Sequence, residues 1–344
     1  MKTSAEIIII GAGPGGLACA KKLAENGRDV LVLERKDRIG PKICAGGITW
    51  NGLLCHVPEE LLERTFYDQY IFSNLQHIRL REKKPMVATI NRKNLGRWMA
   101  RAAKHAGATL TIGSTVKKIT NRNILVKGPD GNVHDISYRY LIGADGATSM
   151  VRRFLGIPTK KMGIGINYII DEQYQKMEWH LNSKLFGSGY GWIFPHRQTL
   201  SIGAFTDQRN LSAAVLKKRL LTWAKTRGYD LSGKKAAAAL VNSDFQGCFF
   251  NNIYLIGDAA GLASGLTGEG IYPAIISGEA VAKKIIDPAY PADEIFAMKK
   301  KQQQHYKVIQ LAAKYPLLSS LLMEWLVVLL RIKILDFHIL EMAE

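Results

Sequence analysis

Cysteine is scarce in this chain, and the few present form no pattern. Cys19, Cys44, Cys55 and Cys248, four among 344 residues, show neither CxxC spacing nor the density of a secreted disulfide scaffold. That excludes a cysteine-rich extracellular fold and points to a reducing, cytoplasmic setting. It also leaves no set of thiols for an iron–sulfur cluster within the chain. The eight histidines contain no HExxH pair, so no metal site is expected. Long hydrophobic runs are missing too. The most apolar stretch, PLLSSLLMEWLVVLL, is interrupted by Glu324 and followed by Arg331 and Lys333, too short and too charged for a membrane span. A buried or interfacial helix is expected there. Residues 6 to 20, EIIIIGAGPGGLACA, mimic the apolar centre of an export signal but hold a glycine fingerprint that belongs to a strand and turn. There are no repeats and no low-complexity linker.

Positive charge is in excess. Lys and Arg number 47 against 29 Asp and Glu, a formal net charge of +18, which draws a molecule toward lipid headgroups, nucleic acid or phosphorylated substrates. No nucleic-acid motif is present, and runs such as Arg152–Arg153 and Lys299–Lys301 are short. They read as a solvated basic face, with no nucleic-acid partner.

The chain opens with strand, turn and helix (EIIII, GAGPGG, LACAKKLAENG) followed by a second strand, RDVLVLE. This is a βαβ unit beginning a doubly wound sheet. A helix over 93–107 ends at Gly107, and PDG after Lys127 marks a hairpin turn. Residues 157 to 206 alternate as strands do, 211 to 228 are helical, and almost everything beyond 268 reads as helix. Gly11, Gly13 and Gly16 make the G-x-G-x-x-G pattern. The first allows a tight turn, the second lets backbone approach a pyrophosphate, and the third permits close helix-to-strand packing. Glu34, at the end of the second strand, is placed to accept ribose hydroxyls and disfavours a 2′-phosphate, so FAD or NAD fits better than NADP. Two further glycine turns, GADGATSMVRR with Asp145 and IGDAAGLASGLTGEGI with Asp258, favour the longer FAD. Asp258 is expected at its ribityl or pyrophosphate part. The backbone N–H groups of Gly268 to Ile271 are expected to offset negative charge on the reduced ring.

Together, GAGPGG, Glu34, CAGG (44–47), GADG, YGWIFP and GDAAG…LTGEGI resemble the geranylgeranyl reductase family of flavoproteins, whose fold is related to the p-hydroxybenzoate hydroxylase class. The resemblance runs from residue 7 to about 280. It implies FAD, and saturation of isolated C=C bonds in prenyl lipids. It also implies cofactor contacts at Gly15, Glu34, Arg35, Cys44, Ala45, Gly47, Arg92, Val116, Asp258, Gly270 and Ile271. Ser264 and Gly265 stand where family members commonly have Asn-Pro. The fold class expected is α/β, a discontinuous FAD-binding domain (1–65, 86–156, 245–297) interleaved with a β-rich substrate domain (66–85, 157–244), followed by a helical segment (298–344).

In the strand YGWIFP alternate residues share a face, so Tyr190, Trp192 and Phe194 are expected to wall the flavin edge and a prenyl chain. Gly187, Gly189 and Gly191 would permit close approach. Core packing is the competing reading of such alternation. An isolated alkene has no carbonyl to absorb charge, so hydride delivery must be accompanied by protonation. Tyr190 or Trp192 would steady cationic character by cation–π contact, worth roughly 0.5–2 kcal/mol. Cys44 is a candidate proton donor, or equally a small packed thiol. His196 reads as a surface or loop residue, and the other cysteines as structural. With one full dinucleotide fingerprint, the electron donor is either a transient NAD(P)H or a docking ferredoxin-like protein. A cytoplasmic protein with peripheral contact at the inner membrane face, through residues 316–340, is one expectation; a helix that only covers the flavin domain is the other. An aromatic hydroxylase and a flavin electron carrier to quinone are the alternative functions.

Overall fold

The computed structural model describes residues 2–50, 56–207, 211–314 and 316–343, so Cys55 lies outside the described residues. The strand Ser4–Ile10 sits at the centre of the first sheet, parallel to Val30–Leu33 on one side and Val133–Gly143 on the other. Thr109–Thr111 and Ile253–Leu255 extend it at either hand, also in parallel. Because both faces of such a sheet are covered, its strands need apolar residues without alternation. Ile7, Ile8 and Ile9 are accordingly fully buried. The hairpin expected at PDG joins Asn123–Lys127 to Val133–Gly143, with Gly131 at φ 81°.

Helices Pro14–Ala24 and Arg92–His105 cover this sheet, the second capped by Asn91 accepting from Lys93 and Asn94 N–H. Helix Ile271–Ile286 crosses the first so closely that a Cβ at Gly278 would lie 2.3 Å from the Gly15 carbonyl oxygen. Arg152, read from sequence as part of a solvated basic run, is instead 1% exposed. Its guanidinium donates to the carbonyls of Ala260 (3.1 Å), Pro158 (2.9 Å) and Asp244 (2.8 Å) and pairs with the Asp244 carboxylate. The reason is topological: the short helix Met150–Phe154 tucks one of its arginines against the GDAAG turn, within reach of the Ala259 and Ala260 carbonyls. Arg152→Met should cost about 3–5 kcal/mol, by leaving Asp244 buried without its countercharge; chemical denaturation checks it.

The second sheet is largely antiparallel, in the order Ala237–Asn242, Met162–Ile170, Leu200–Asp207, Tyr190–Pro195, Glu178–His180, Asp68–Phe72, His77–Arg81. One face packs on helix Ala213–Thr226 through Ile193, Ile202, Leu216, Leu220 and Trp223. The other gathers Trp179, Tyr190, Trp192, Phe194 and Phe205 against Val327, Leu330 and Phe337 of the C-terminal segment. Gly191 belongs to the first of these faces: a Cβ there would strike the Phe186 ring at 2.7 Å. Its smallness therefore serves helix packing and not the approach of a ligand. A third sheet of three short strands, Gly47–Thr49, Val87–Ile90 and Leu62–Phe66, lies between the two. The chain closes with helices Asp293–Lys314 and Pro316–Arg331 and a 3₁₀ turn, Phe337–Leu340. Among the described residues no helix is long and apolar enough to cross a membrane.

Candidate active site

One cavity of about 730 Å³ joins the glycine turns of the first sheet to the aromatic face of the second. Its polar end is lined by Gly13, Gly15, Gly16, Lys42, Arg92 and Asp258, and its apolar end by Trp179, Tyr190, Trp192, Phe194, Leu326 and Leu330. Cys44, Ala45, Gly47, Gly268, Gly270 and Ile271 line it in between.

At the polar end the groups present fit a dinucleotide. Gly11 holds φ 107°, and a Cβ there would lie 2.4 Å from the Ala144 carbonyl oxygen, so only glycine passes. Gly16 would meet the Gly11 oxygen at 2.1 Å, whereas a Cβ on Gly13 meets nothing within 4 Å and would project into open space. Helix Pro14–Ala24 starts without a side-chain cap, leaving its first N–H groups to an anion. Arg92 carries two buried nitrogens, Nε and Nη1, with no partner among the described residues. A buried guanidinium with open N–H groups calls for an acceptor, and a pyrophosphate or an electron-rich ring edge supplies one. Arg92→Gln should weaken FAD binding by about 1–3 kcal/mol, the worth of a charge-assisted hydrogen bond; flavin fluorescence titration reads it.

The remaining cofactor expectations divide. Glu34 stands at the strand end with its two oxygens accepting from Ala12 N–H (2.9 Å) and Lys36 N–H (3.0 Å), each retaining a second lone pair. Arg35 is exposed, and Val116 pairs with Val126 in the antiparallel ribbon; neither of them, nor Glu34, lines the cavity. Asp145 departs from expectation. Its carboxylate accepts from Ser149 Oγ (2.5 Å) and Met150 N–H (2.6 Å), capping the helix that carries Arg152, and is turned away from the cavity. Asp258 does reach it, held by Lys42 Nζ at 3.0 Å. Of the four N–H groups from Gly268 to Ile271, that of Gly268 is spent on the Ser264 carbonyl (3.0 Å) and that of Glu269 on Thr267 Oγ1 (3.4 Å), which leaves the helix start at Gly270 and Ile271. Ser264 itself accepts from Leu266 and Thr267 N–H and pairs with His305 at 2.9 Å, so it shapes this turn with its hydroxyl.

The aromatic wall forms as the strand alternation predicts. Trp192 lies 5.9 Å from Tyr190 and 6.0 Å from Phe194, centroid to centroid, and Trp179 edges onto Phe194 at 4.7 Å. Gly203, directly across the sheet, makes room for the indole, since a Cβ there would sit 2.2 Å from it. The Tyr190 hydroxyl donates to the Thr267 carbonyl at 2.7 Å, and burial raises its pKa, so the phenol acts as a fixed ring and not as a proton source. A buried relay ties this wall to the CAGG turn. Trp192 Nε1 donates to Ser201 Oγ (3.0 Å), Ser201 Oγ to Asn167 Oδ1 (2.8 Å), and Asn167 Nδ2 to the Cys44 carbonyl (3.0 Å). Cys44 is half-buried, its sulfur accepting from Gly46 N–H. Cys19 and Cys248 are fully packed, and burial pushes their thiols up, as inert structural cysteines.

Two further groups take roles that their neighbours in sequence do not reveal. His196 is not a surface residue: it is 8% exposed and lies between the Glu63 carboxylate and the Ala45 carbonyl (3.0 Å), bracing the CAGG turn from below. Glu269 lines the cavity beside Tyr190, with Thr49 Oγ1 donating to one oxygen (3.2 Å) and Met342 N–H to the other (2.9 Å). Burial pushes its carboxyl from 4.5 up to about 7. In LTGEGI the glutamate stands between the two glycines of the turn, and its burial depends on Thr49 and Met342, distant in the chain.

A family model described as an FAD binding domain matches residues 4–290. A digeranylgeranylglycerophospholipid reductase of Methanosarcina acetivorans is 29% identical over 328 residues, covering 83% of this chain and 77% of the relative. In fold, a geranylgeranyl bacteriochlorophyll reductase-like protein of Thermoplasma acidophilum superposes with a TM-score of 0.74 at 21% identity, over 89% of this chain and 83% of its own. A flavin-dependent brominase superposes with 0.69 at 15%, over 94% and 90%. With the cradle, the unpartnered arginine and a family match across most of its length, the chain belongs to the FAD-binding domain family and is an FAD-binding oxidoreductase.

Proposed function

We propose that this enzyme saturates isolated C=C bonds of a prenyl lipid, of the geranylgeranyl type. The observation that carries the reading is the continuity of the cavity, an anion cradle at one end running into a sleeve of rings and aliphatic side chains at the other. The name of the Methanosarcina relative supports it.

When bound, FAD supplies a hydride. This chain's residues do the rest. Gly13, the start of helix Pro14–Ala24 and Arg92 would hold its phosphates, Asp258 its ribityl or pyrophosphate part, and Gly270 and Ile271 its ring end. Trp179, Tyr190, Trp192 and Phe194 exclude water and present π faces to the alkene. Saturation adds one hydrogen to each alkene carbon, one as hydride and one as a proton. Glu269 holds that proton on its carboxyl, and the Trp192–Ser201–Asn167 relay keeps the Cys44 turn against the substrate. Electrons reach the enzyme from NAD(P)H or from a ferredoxin-like protein.

The test is to reduce the purified holoprotein with dithionite under argon, add a geranylgeranyl lipid and weigh the product. A gain of two hydrogens per reduced bond is expected. Oxygen incorporation on admitting air, without saturation, would replace this reading by a monooxygenase.

A further inference from the structure

Helix Pro316–Arg331 is apolar on two faces. Val327 and Leu330 are buried in the aromatic core, while Leu321, Trp325 and Ile332 face outward, 53%, 62% and 55% exposed. Ile332 continues the helix through its N–H bond to Val328, so these three recur at spacings of four and seven on one side. Water gives no reason for such a stripe, and an exposed apolar patch on a folded protein marks a contact surface.

The acid of this helix is withdrawn from that side. Glu324 accepts from Ser73 Oγ (2.7 Å), Leu75 N–H (3.1 Å) and Gln76 Nε2 (3.1 Å), which brings Leu75, 83% exposed, beside the outer stripe. Cations stand around it. Lys184 is exposed next to Ser183, whose hydroxyl meets Ser320 at 2.8 Å; Arg331 and Lys333 are exposed at the helix end. Asp336, three residues after Lys333, is an exposed acid. The cavity also reaches the surface on these C-terminal elements: Val308, Leu311 and Ile339 line it and are 50%, 48% and 43% exposed.

We propose that this face docks on an anionic lipid bilayer, with Leu321, Trp325, Ile332 and Leu75 entering the acyl boundary and Lys184, Arg331 and Lys333 meeting the headgroups. Sixteen helical residues at about 1.5 Å each make the helix about 24 Å long, so it lies in the interface and does not span. The net charge of +18 favours the same occupant over a neutral one. Surface chemistry carries this, independently of the substrate proposed above.

Co-sedimentation of the holoprotein with vesicles free of prenyl lipid tests it. Binding to phosphatidylcholine vesicles containing phosphatidylglycerol should exceed binding to phosphatidylcholine alone at least about tenfold and fall with added salt. Leu321→Ser/Trp325→Ser/Ile332→Ser should lose binding while retaining flavin and thermal midpoint, and Lys184→Glu/Arg331→Glu/Lys333→Glu should lose the lipid preference. Brominated lipids should quench wild-type fluorescence and spare Trp325→Phe, a readout that does not depend on the triple variants folding. Absence of vesicle binding, equal binding to neutral vesicles, or quenching undiminished in Trp325→Phe overturns the proposal. So does a dimer formed through this face in place of vesicle binding.

Discussion

Glu269→Gln lowers the rate of double-bond saturation by about 10²–10⁴-fold, the span of a lost general acid, and removes a limb of the pH profile. A carboxyl pushed up to about 7 donates only while protonated. The wild-type single-turnover rate is therefore flat below pH 7 and falls as pH rises above it; the glutamine variant is slow and flat throughout. Folding carries the same sign. A pKa raised above its unfolded value of 4.5 contributes stability that is fully present below 4.5 and lost as pH rises through about 7. Urea denaturation at pH 5 and pH 8 should show a smaller pH dependence in the variant. A Glu269→Gln enzyme with the wild-type rate and limb would move the proton source elsewhere, with Cys44 next in line because it lines the same stretch of cavity.

Two glycine-to-alanine changes in the fingerprint should fail in different ways. At Gly16 the added methyl meets the Gly11 carbonyl oxygen at 2.1 Å and the Ala144 Cβ at 3.1 Å, with no flexible side chain able to yield. Overpacking there costs about 1–3 kcal/mol in the apoprotein, and the cradle is distorted as well, so the product is both colourless and less stable. At Gly13, with φ −76° and nothing within 4 Å, alanine fits the fold. Its methyl instead occupies the space in front of the helix start. Apoprotein stability should stay within about 0.5 kcal/mol of wild type, while FAD affinity falls at least about tenfold, a loss of roughly 1.4 kcal/mol. Thermal melts with and without FAD separate the cases: Gly13→Ala loses only the cofactor-dependent rise, Gly16→Ala starts lower. A Gly13→Ala protein that binds flavin normally would mean that the pyrophosphate does not pass this turn.

Local chemistry carried the sequence reading a long way. The strand–turn–helix at 4–24, the PDG hairpin and the alternation of Tyr190, Trp192 and Phe194 each depend on neighbours in the chain. Glycine conformation and strand periodicity are properties of such short segments. Asp145 shows where that logic stops. Its motif is like that of Asp258, yet Ser149 and Met150 take its carboxylate, because a helix begins five residues later and needs a cap. Likewise Arg152, in a basic run, and His196, in a loop, give no sign of burial in their own segments, since nothing nearby in the chain reveals that carbonyls from residues 244 and 260, or a carboxylate from residue 63, will surround them.

The amino-acid order was enough to announce a glycine turn between strand and helix, a carboxylate at the end of the second strand and an aromatic strand, since each is a device of a few consecutive residues. It could not say that the C-terminal helices would complete the cavity with Leu326 and Leu330. Nor could it say that Glu269 would be shut in by Thr49 and Met342, or that Trp325 would be left facing out. Those facts arise when segments far apart in the chain pack together, 220 residues for Thr49 and 73 for Met342 in the case of Glu269. Desolvation, which turns an ordinary carboxyl into an acid poised near neutrality, exists only once that packing has removed the water.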